Sequence, residues 1–285
     1  MPKATVLPDS WQSAINEVAH RRGSVVLVLG GVDVGKSTFC RLALAATAGS
    51  RRVGLVDADP GQKQVGPPAA VTLAFSPAAS LLAGIEFVGD TSPVRRFARL
   101  ADGAARLVAQ AKEAAADLVL IDTDGMLGPV GLRLKRALLA RLRPDVVVAV
   151  ERGGELAPLL DHSDPGGPAV FRLPAATAGR RKSGAARAAA RRAAFAAYFA
   201  DAAVQRIASA SMSLTPDDRH GLAPGRLCGL VDARGEGIGL GLVDTPDCGD
   251  GRAALLTPAD CRRAATVLMG DLRLAPDGRE LERLR

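Results

Sequence analysis

The amino-acid sequence predicts an α/β fold organised as a doubly wound parallel sheet. Three observations carry this. Charge-free aliphatic runs, which read as strands buried on both faces, alternate with helical stretches along the first 150 residues. The first such run, Val25 to Leu29, leads directly into Gly30-x-x-x-x-Gly35-Lys36-Ser37 and a helical stretch from Thr38 to Thr47. Strand, glycine-rich loop and helix in that order form the context of a phosphate-binding loop, so the expected fold is that of a P-loop NTPase. Finally, several later runs end in small polar clusters, and open α/β sheets collect ligands outside the carboxyl ends of their strands.

In chain order, residues 9–21 are expected as a helix capped by Asp9 or Ser10, with Trp11, Ile15 and Val18 on its inner face. Trp11 reads as a core anchor. The loop Gly30, Gly31, Val32, Asp33, Val34, Gly35, Lys36, Ser37 and Thr38 follows. Its glycines allow backbone N–H groups to point into one concavity, and the helix N-terminus adds partial positive charge. Lys36 is placed to reach the β- and γ-phosphates, and the Ser37 hydroxyl to sit on Mg²⁺. Val53 to Val56 is the next strand, ending in Asp57-Ala58-Asp59-Pro60-Gly61-Gln62. Two carboxylates there, facing a triphosphate, can hold Mg²⁺ or take a proton from a nucleophile.

Residues 63–84 read as loop with short strands. Ile85 to Val88 is a strand running into Gly89-Asp90-Thr91-Ser92-Pro93. A helix from Arg95 to Ala116, a strand from Asp117 to Ile121 ending in Asp122-Thr123-Asp124-Gly125, a helix from Leu132 to Leu142 and a strand from Val146 to Val150 complete the alternation. From Ala175 to Ala208 the chain becomes rich in Ala, Arg and Phe. Arg180, Arg181, Lys182, Arg187, Arg191 and Arg192 lie within thirteen residues that hold no acid. They form a solvated face or a phosphate clamp, and the absence of a paired acid favours the clamp. The division expected is a kinase-like unit over 1–208, with a helical Arg-rich lid at 175–198, and a small β-rich module over 209–285.

Composition excludes several classes. Of 285 residues, 48% are hydrophobic and 24% charged, which is globular rather than disordered. No apolar run approaches the ~20 residues that span a bilayer, and the N-terminus lacks a signal-peptide layout, so neither membrane nor secretion is expected. Cys40, Cys228, Cys248 and Cys261 are scattered and read as free thiols of a cytoplasmic protein. His20, His162 and His220 are far apart and suggest no zinc site. The net charge of +7 suits a polyanionic partner.

The loop specifies a nucleoside triphosphate but not a reaction. The only asparagine is Asn16, so the Asn-Lys-x-Asp segment of a GTPase is absent. A partition-type ATPase is similar around Asp57 and Asp59, but it carries an early lysine where this chain has Gly31 and Val32. The order of Gly-Gly-Val-Asp-Val-Gly-Lys-Ser-Thr, Asp-x-Asp-Pro-Gly-Gln, Phe-Val-Gly-Asp-Thr-Ser-Pro, Thr-Asp-Gly and a late Arg-rich segment before Tyr-Phe resembles the polynucleotide 5′-hydroxyl kinases. Eukaryotic members of that family act in tRNA splicing, mRNA 3′-end cleavage and ribosomal RNA processing. The resemblance runs from Trp11 to the closing Gly270-Asp271-Leu272-Arg273-Leu274.

That resemblance implies transfer of the ATP γ-phosphate to a 5′-hydroxyl of RNA, with DNA left open. It places ATP and Mg²⁺ on Lys36, Ser37 and Thr38, and the carboxylate that activates the hydroxyl at Asp59. It makes Gln62 and the Asp90-Thr91-Ser92 loop substrate contacts, and Thr123 and Gly125 a clasp on the substrate phosphates. Met126 stands where the family has Trp. Arg187 and Arg191 match lid arginines, and the first lid cation falls on Lys182 or Arg181. Asp57 joins Ser37 and Asp59 as an expected metal ligand. An ATP-bound scaffold without catalysis, known among eukaryotic members, stands as the alternative, beside the partition-type ATPase. Oligomeric state is not specified.

Overall fold

A computed structural model describes residues 8–47, 51–76, 81–161, 166–176, 182–214 and 218–284. Arg180, Arg181 and His162, singled out above, lie outside them. The chain builds two sheets. The first contains β1 (Ser24–Gly30), β2 (Val53–Ala58), β3 (Ala70–Phe75), β4 (Gly84–Phe87), β5 (Leu118–Thr123), β6 (Val146–Glu151) and β7 (Ala169–Pro174). Helices α1 (Asp9–His20), α2 (Lys36–Thr47), α3 (Phe97–Glu113), α4 (Gly128–Leu142) and α5 (Ala157–Leu160) cover it. Helix α6 (Gly184–Tyr198) leads into the second sheet: β8 (Ala203–Ala208), β9 (Met212–Ser213), β10 (Arg226–Val231), β11 (Gly237–Thr245), β12 (Arg252–Thr257), β13 (Thr266–Leu274) and β14 (Glu280–Arg283).

The first sheet has the order β4-β3-β2-β5-β1-β6-β7. Five neighbouring strands, β2 to β7 in that order, are parallel. Side-chain alternation along β1 explains the layering. Val25, Leu27 and Leu29 enter the core beneath α3 and α4, while Val26 and Val28 enter the core beneath α1 and α2. Each helix presents one apolar stripe at i, i+3, i+4 spacing, such as Trp11, Ala14, Ile15 and Val18 on α1 and Leu134, Leu138 and Leu142 on α4. Full burial of a Val or Leu side chain contributes about 1.5–3 kcal/mol, so these two cores hold β1 at the centre and fix the loop that follows it.

Two strands at one edge of the sheet are antiparallel to their neighbours. β3, within the segment read as loop with short strands, runs antiparallel between β2 and β4. β7 has no counterpart among the expected strands. It is an edge strand with one buried side chain, Leu173, so it carries no aliphatic run. Helix α4 starts at Gly128, four residues before the expected Leu132, with Pro129 in its first turn.

The second sheet has the order β14-β13-β10-β11-β12-β8, with β9 on β13. β8 falls before residue 208, inside the span expected for the first unit, yet its whole length pairs with β12. The chain therefore enters the second sheet directly after α6. Ile85 and Phe87 of β4, Phe195 of α6, Phe199 just after that helix, and Leu227, Leu240, Leu242, Leu272 and Leu274 of the second sheet form one buried cluster. Gly229 makes this junction possible: a Cβ there would stand 2.3 Å from the Cβ of Phe87. No described helix is long and apolar enough to cross a membrane.

Candidate active site

The carboxyl ends of β1, β2 and β5 meet the N-terminus of α2 at a cavity of about 540 Å³. Val32, Asp33, Gly35, Lys36, Ser37, Thr38, Asp59, Gln62, Thr123, Gly125, Lys182, Arg187 and Arg191 all line it. Separate stretches of sequence, each expected to carry part of a site, thus converge on one space. Asp33 carries the loop through a left-handed turn at φ 54° and Gly35 at φ 112°. At Gly35 a side chain would also collide with the ring of Trp11, which lies 2.9 Å from where a Cβ would stand. Trp11 is fully buried, donates from Nε1 to Pro174 O at 2.8 Å and packs edge-on to Phe39. It is the core anchor expected, seated directly under the phosphate loop.

The Lys36 ammonium donates to Gly31 O at 2.7 Å, within its own loop. Burial lowers its pKa, and the neighbouring Asp122 charge opposes that shift. Ser37 Oγ donates to Asp122 Oδ2 at 2.6 Å, and Gln64 Nε2 donates to the same oxygen at 2.7 Å. Asp122 Oδ1 is buried with no hydrogen-bond partner among the described residues. Burial, with the nearby Asp57 charge adding to it, raises the Asp122 carboxyl to about 7. A buried, unpartnered carboxylate oxygen beside a serine hydroxyl is a donor set that fits a hard divalent cation. Asp122 is not among the metal ligands expected from sequence, although its place at the end of β5 is visible there.

Asp57 is corrected by the structure. Its carboxylate is wholly buried, pairs with Lys63 Nζ at 3.0 Å, and accepts from the backbone of Asp59, Gln64 and Val65. It does not line the cavity; it ties down the turn that follows β2. Asp59 does line it. Its Oδ1 accepts from the N–H groups of Gly61 at 2.8 Å and Gln62 at 2.9 Å, and Oδ2 has no partner among the described residues. Burial raises the Asp59 pKa, with the Asp57 and Asp124 charges reinforcing it and the two backbone donors opposing it.

The lid arginines are not without acids. Arg187 pairs with Asp33 Oδ2 at 2.6 Å, and the same oxygen accepts from the Lys182 backbone at 3.1 Å. Arg191 pairs with Glu280 of β14, and Arg192 with Asp277 at 2.5 Å. The cluster is acid-free in sequence only. Gln62 Nε2 donates to Gly61 O and to Arg187 O at 3.3 Å, joining the Asp59 turn to the lid helix. Thr123 spends its hydroxyl on Val28 O, and Gly125 lies flat against Val32, 2.7 Å from a Cβ position to Val32 Cα. Asp124 is held by the fully buried Lys135.

Asp90, Thr91 and Ser92 do not line the cavity. Asp90 Oδ1 accepts from Ser92 N at 2.9 Å and pairs with Arg283 at 3.2 Å, while Thr91 O lies 2.8 Å from a Cβ position on Gly61. This loop backs the Asp59 turn. Several cavity residues are not singled out by the sequence, among them Lys63, Pro68, Arg41 and Gln64. Arg41, one turn into α2, lines the cavity from an exposed position, and Gln64 bridges to Asp122.

Residues 30–201, well over half of the chain, match the family described as mRNA cleavage and polyadenylation factor CLP1 P-loop. Proteins of Pyrococcus horikoshii and Pyrococcus furiosus named polyribonucleotide 5′-hydroxyl-kinase are 34% and 36% identical over 54% of this chain. Those alignments cover 45% and 46% of the relatives, so the chain spans about half the length of the curated relatives it matches. A Thermococcus kodakarensis protein of the same name is 28% identical over 98% of this chain and 96% of its own length. The fold is similar to that of the solved Clp1p–Pcf11p complex, with a TM-score of 0.68 and 11% identity over 95% of this chain and 80% of that one. With its phosphate loop, lid and connecting strands inside the matched region, the chain belongs to the CLP1 P-loop family.

Proposed function

We propose that this protein is an ATP-dependent polynucleotide 5′-hydroxyl kinase that acts on RNA. The observation that carries the reading is the shared cavity: Asp59, Lys36, Ser37, Arg187 and Arg191 line one space at the carboxyl edge of the sheet. The names of the archaeal relatives support the substrate class.

In this reading the phosphate loop and Lys36 hold the ATP phosphates. The 5′-hydroxyl approaches from the Asp59 side. Asp59 accepts its proton as the oxygen attacks the γ-phosphorus, and the bond to the ADP oxygen breaks. Such transfer relies on positioning and charge neutralisation more than on covalent chemistry by the protein. Backbone donors from Gly61 and Gln62 keep the Asp59 carboxylate in one orientation. Its raised pKa makes it a stronger base than an exposed carboxylate. Arg187 and Arg191 supply charge opposite the transferring group. Ser37 and Asp122 would hold Mg²⁺, which would supply neutralising charge to the phosphates. Thr123, Gly125 and Lys182 line the same cavity.

The test is conversion of a 5′-hydroxyl oligoribonucleotide by ATP and Mg²⁺ into a 5′-monophosphate, read by digestion with a 5′-phosphate-dependent exonuclease, beside a DNA strand of the same sequence. The reading predicts digestion of the RNA. An RNA that stays resistant after prolonged incubation contradicts it.

A further inference from the structure

The two lid arginines that line the cavity are held in different ways. Arg187 uses Nε on Lys182 O and one terminal nitrogen on Asp33. Arg191 uses only Nε, on Glu280 Oε1, and its two terminal nitrogens have no partner among the described residues. A guanidinium offers five N–H donors in a fixed plane. A carboxylate at Nε therefore sets the plane and leaves the outer fork available to an anion.

Glu280 sits at the start of β14, and its surroundings hold that strand firmly. At the other end, Arg283 pairs with Asp90 at 3.2 Å and donates to Thr91 Oγ1 at 3.0 Å. β14 is hydrogen-bonded along β13, and β13 is tied to the start of α3 through the ion pair of Arg96 with Asp271. Behind Arg191, the lid helix is buried against the second sheet by Phe195 and Phe199, and Tyr198 Oη accepts from Leu240 N at 2.8 Å. The Arg191–Glu280 pair is half-sheltered, at 21% and 28% side-chain exposure, whereas the neighbouring Arg192–Asp277 pair is open at 55% and 48%. Surface pairs of the second kind contribute little. One strand thus touches both walls of the cavity: the lid through Glu280, and the turn bearing Asp59 through Arg283, Thr91 and Gly61.

We propose that Glu280 is a positioning residue for phosphoryl transfer, orienting the Arg191 fork toward the transferring phosphate, and that β14 is the part of the C-terminal sheet that serves the active site. This rests on the kinase reading above. The C-terminal sheet then has a role in the reaction itself, beyond covering the edge of the first sheet.

The experiment is a mutant cycle of Glu280→Ala, Arg191→Ala and the double variant, with Glu280→Gln and the open-pair control Asp277→Ala. Three readouts are taken: single-turnover transfer to a 5′-hydroxyl oligoribonucleotide, ATP affinity, and thermal midpoint. Misorienting a group near the reacting atoms costs up to about 10²-fold, so Glu280→Ala is expected to slow transfer roughly ten- to a hundredfold, with ATP affinity and thermal midpoint near wild type. Glu280→Gln retains an acceptor for Nε and recovers part of the rate. Asp277→Ala transfers at the wild-type rate. Because Glu280 acts through Arg191, the double variant is no slower than Arg191→Ala. A wild-type rate in Glu280→Ala, or a Glu280 effect that multiplies in full with that of Arg191→Ala, overturns the proposal. If the wild-type protein transfers nothing, the kinase reading fails, and binding of ADP with aluminium fluoride tests the orientation by itself. Weaker binding in Glu280→Ala supports it, and equal binding overturns it.

Discussion

The Arg187 guanidinium and the Asp33 carboxylate meet at 2.6 Å, so the lid helix is ion-paired to the phosphate loop itself. Both groups line the cavity. An incoming γ-phosphate would compete with Asp33 for the same arginine. Arg187→Ala is expected to lower single-turnover transfer by ~10²-fold, less than the 10³–10⁵ of a lone catalytic arginine because Arg191 remains. ATP affinity should change little, since the lost charge acts mainly in the transition state. Arg187→Lys should recover only part, a point charge replacing a planar fork. A variant that transfers at the wild-type rate removes Arg187 from the site.

Asp33→Ala should loosen the lid only when nucleotide is absent. Its carboxylate is the acceptor for both Lys182 N and the Arg187 side chain. Amide hydrogen exchange over residues 182–190 is expected to quicken in the nucleotide-free variant and to return to the wild-type level with ATP. Equal exchange in both free proteins would show that Asp33 does not dock the lid.

The two carboxylates after β2 should separate cleanly. Asp59→Asn keeps the fold and ATP binding and loses at least ~10²-fold in transfer, because an amide cannot take the hydroxyl proton. Asp57→Asn leaves the buried Lys63 ammonium without its counter-ion. Breaking such a pair costs about 3–5 kcal/mol, read as a lower urea midpoint. The opposite pattern would reverse the assignment.

If Asp59 is the general base, it should also govern the acid side of the pH profile. A general base acts when ionised, so transfer falls as pH drops through the folded-state pKa. Burial and the Asp57 and Asp124 charges place that pKa above the ordinary aspartate value. The acid limb of the single-turnover rate should therefore lie above the range of an exposed aspartate. A rate that stays flat down to the ordinary carboxylate range contradicts the role of Asp59 as base.

Metal dependence should track Asp122. Its unpartnered Oδ1 beside Ser37 is costly while no cation is present. Asp122→Asn is expected to bind ATP without metal at least as well as wild type, since a buried negative charge is removed, and to lose the tightening that Mg²⁺ gives. Calorimetric ATP titrations with Mg²⁺ and with EDTA check this. An unchanged Mg²⁺ effect would place the ion elsewhere.

Much of this site is legible in the sequence because its signals are local. The loop from Gly30 to Thr38 announces itself by spacing, and Asp59 by the turn Pro60-Gly61 that follows it. What is not legible is pairing across the chain. Arg187 finds Asp33 at a separation of 154 residues and Arg191 finds Glu280 at 89, so an acid-free stretch in sequence is an ion-paired one in space. Asp57 and Asp59 look alike on paper. Only the fold turns one toward Lys63 and the other toward the cavity. β7 is hidden because an exposed edge strand needs no aliphatic run. β8 merges with the Ala-rich segment before it, since its partner β12 lies some fifty residues later.

In the proposed reaction the γ-phosphate of ATP goes to a 5′-hydroxyl. The most direct measurement follows γ-labelled ATP with a 5′-hydroxyl oligoribonucleotide, a 5′-phosphorylated copy, and the Lys36→Ala variant as control. Label is expected on the 5′-hydroxyl strand alone, none on the phosphorylated copy, and none with Lys36→Ala. Label that is retained as bound ATP, or released as inorganic phosphate with none on the oligonucleotide, would contradict it.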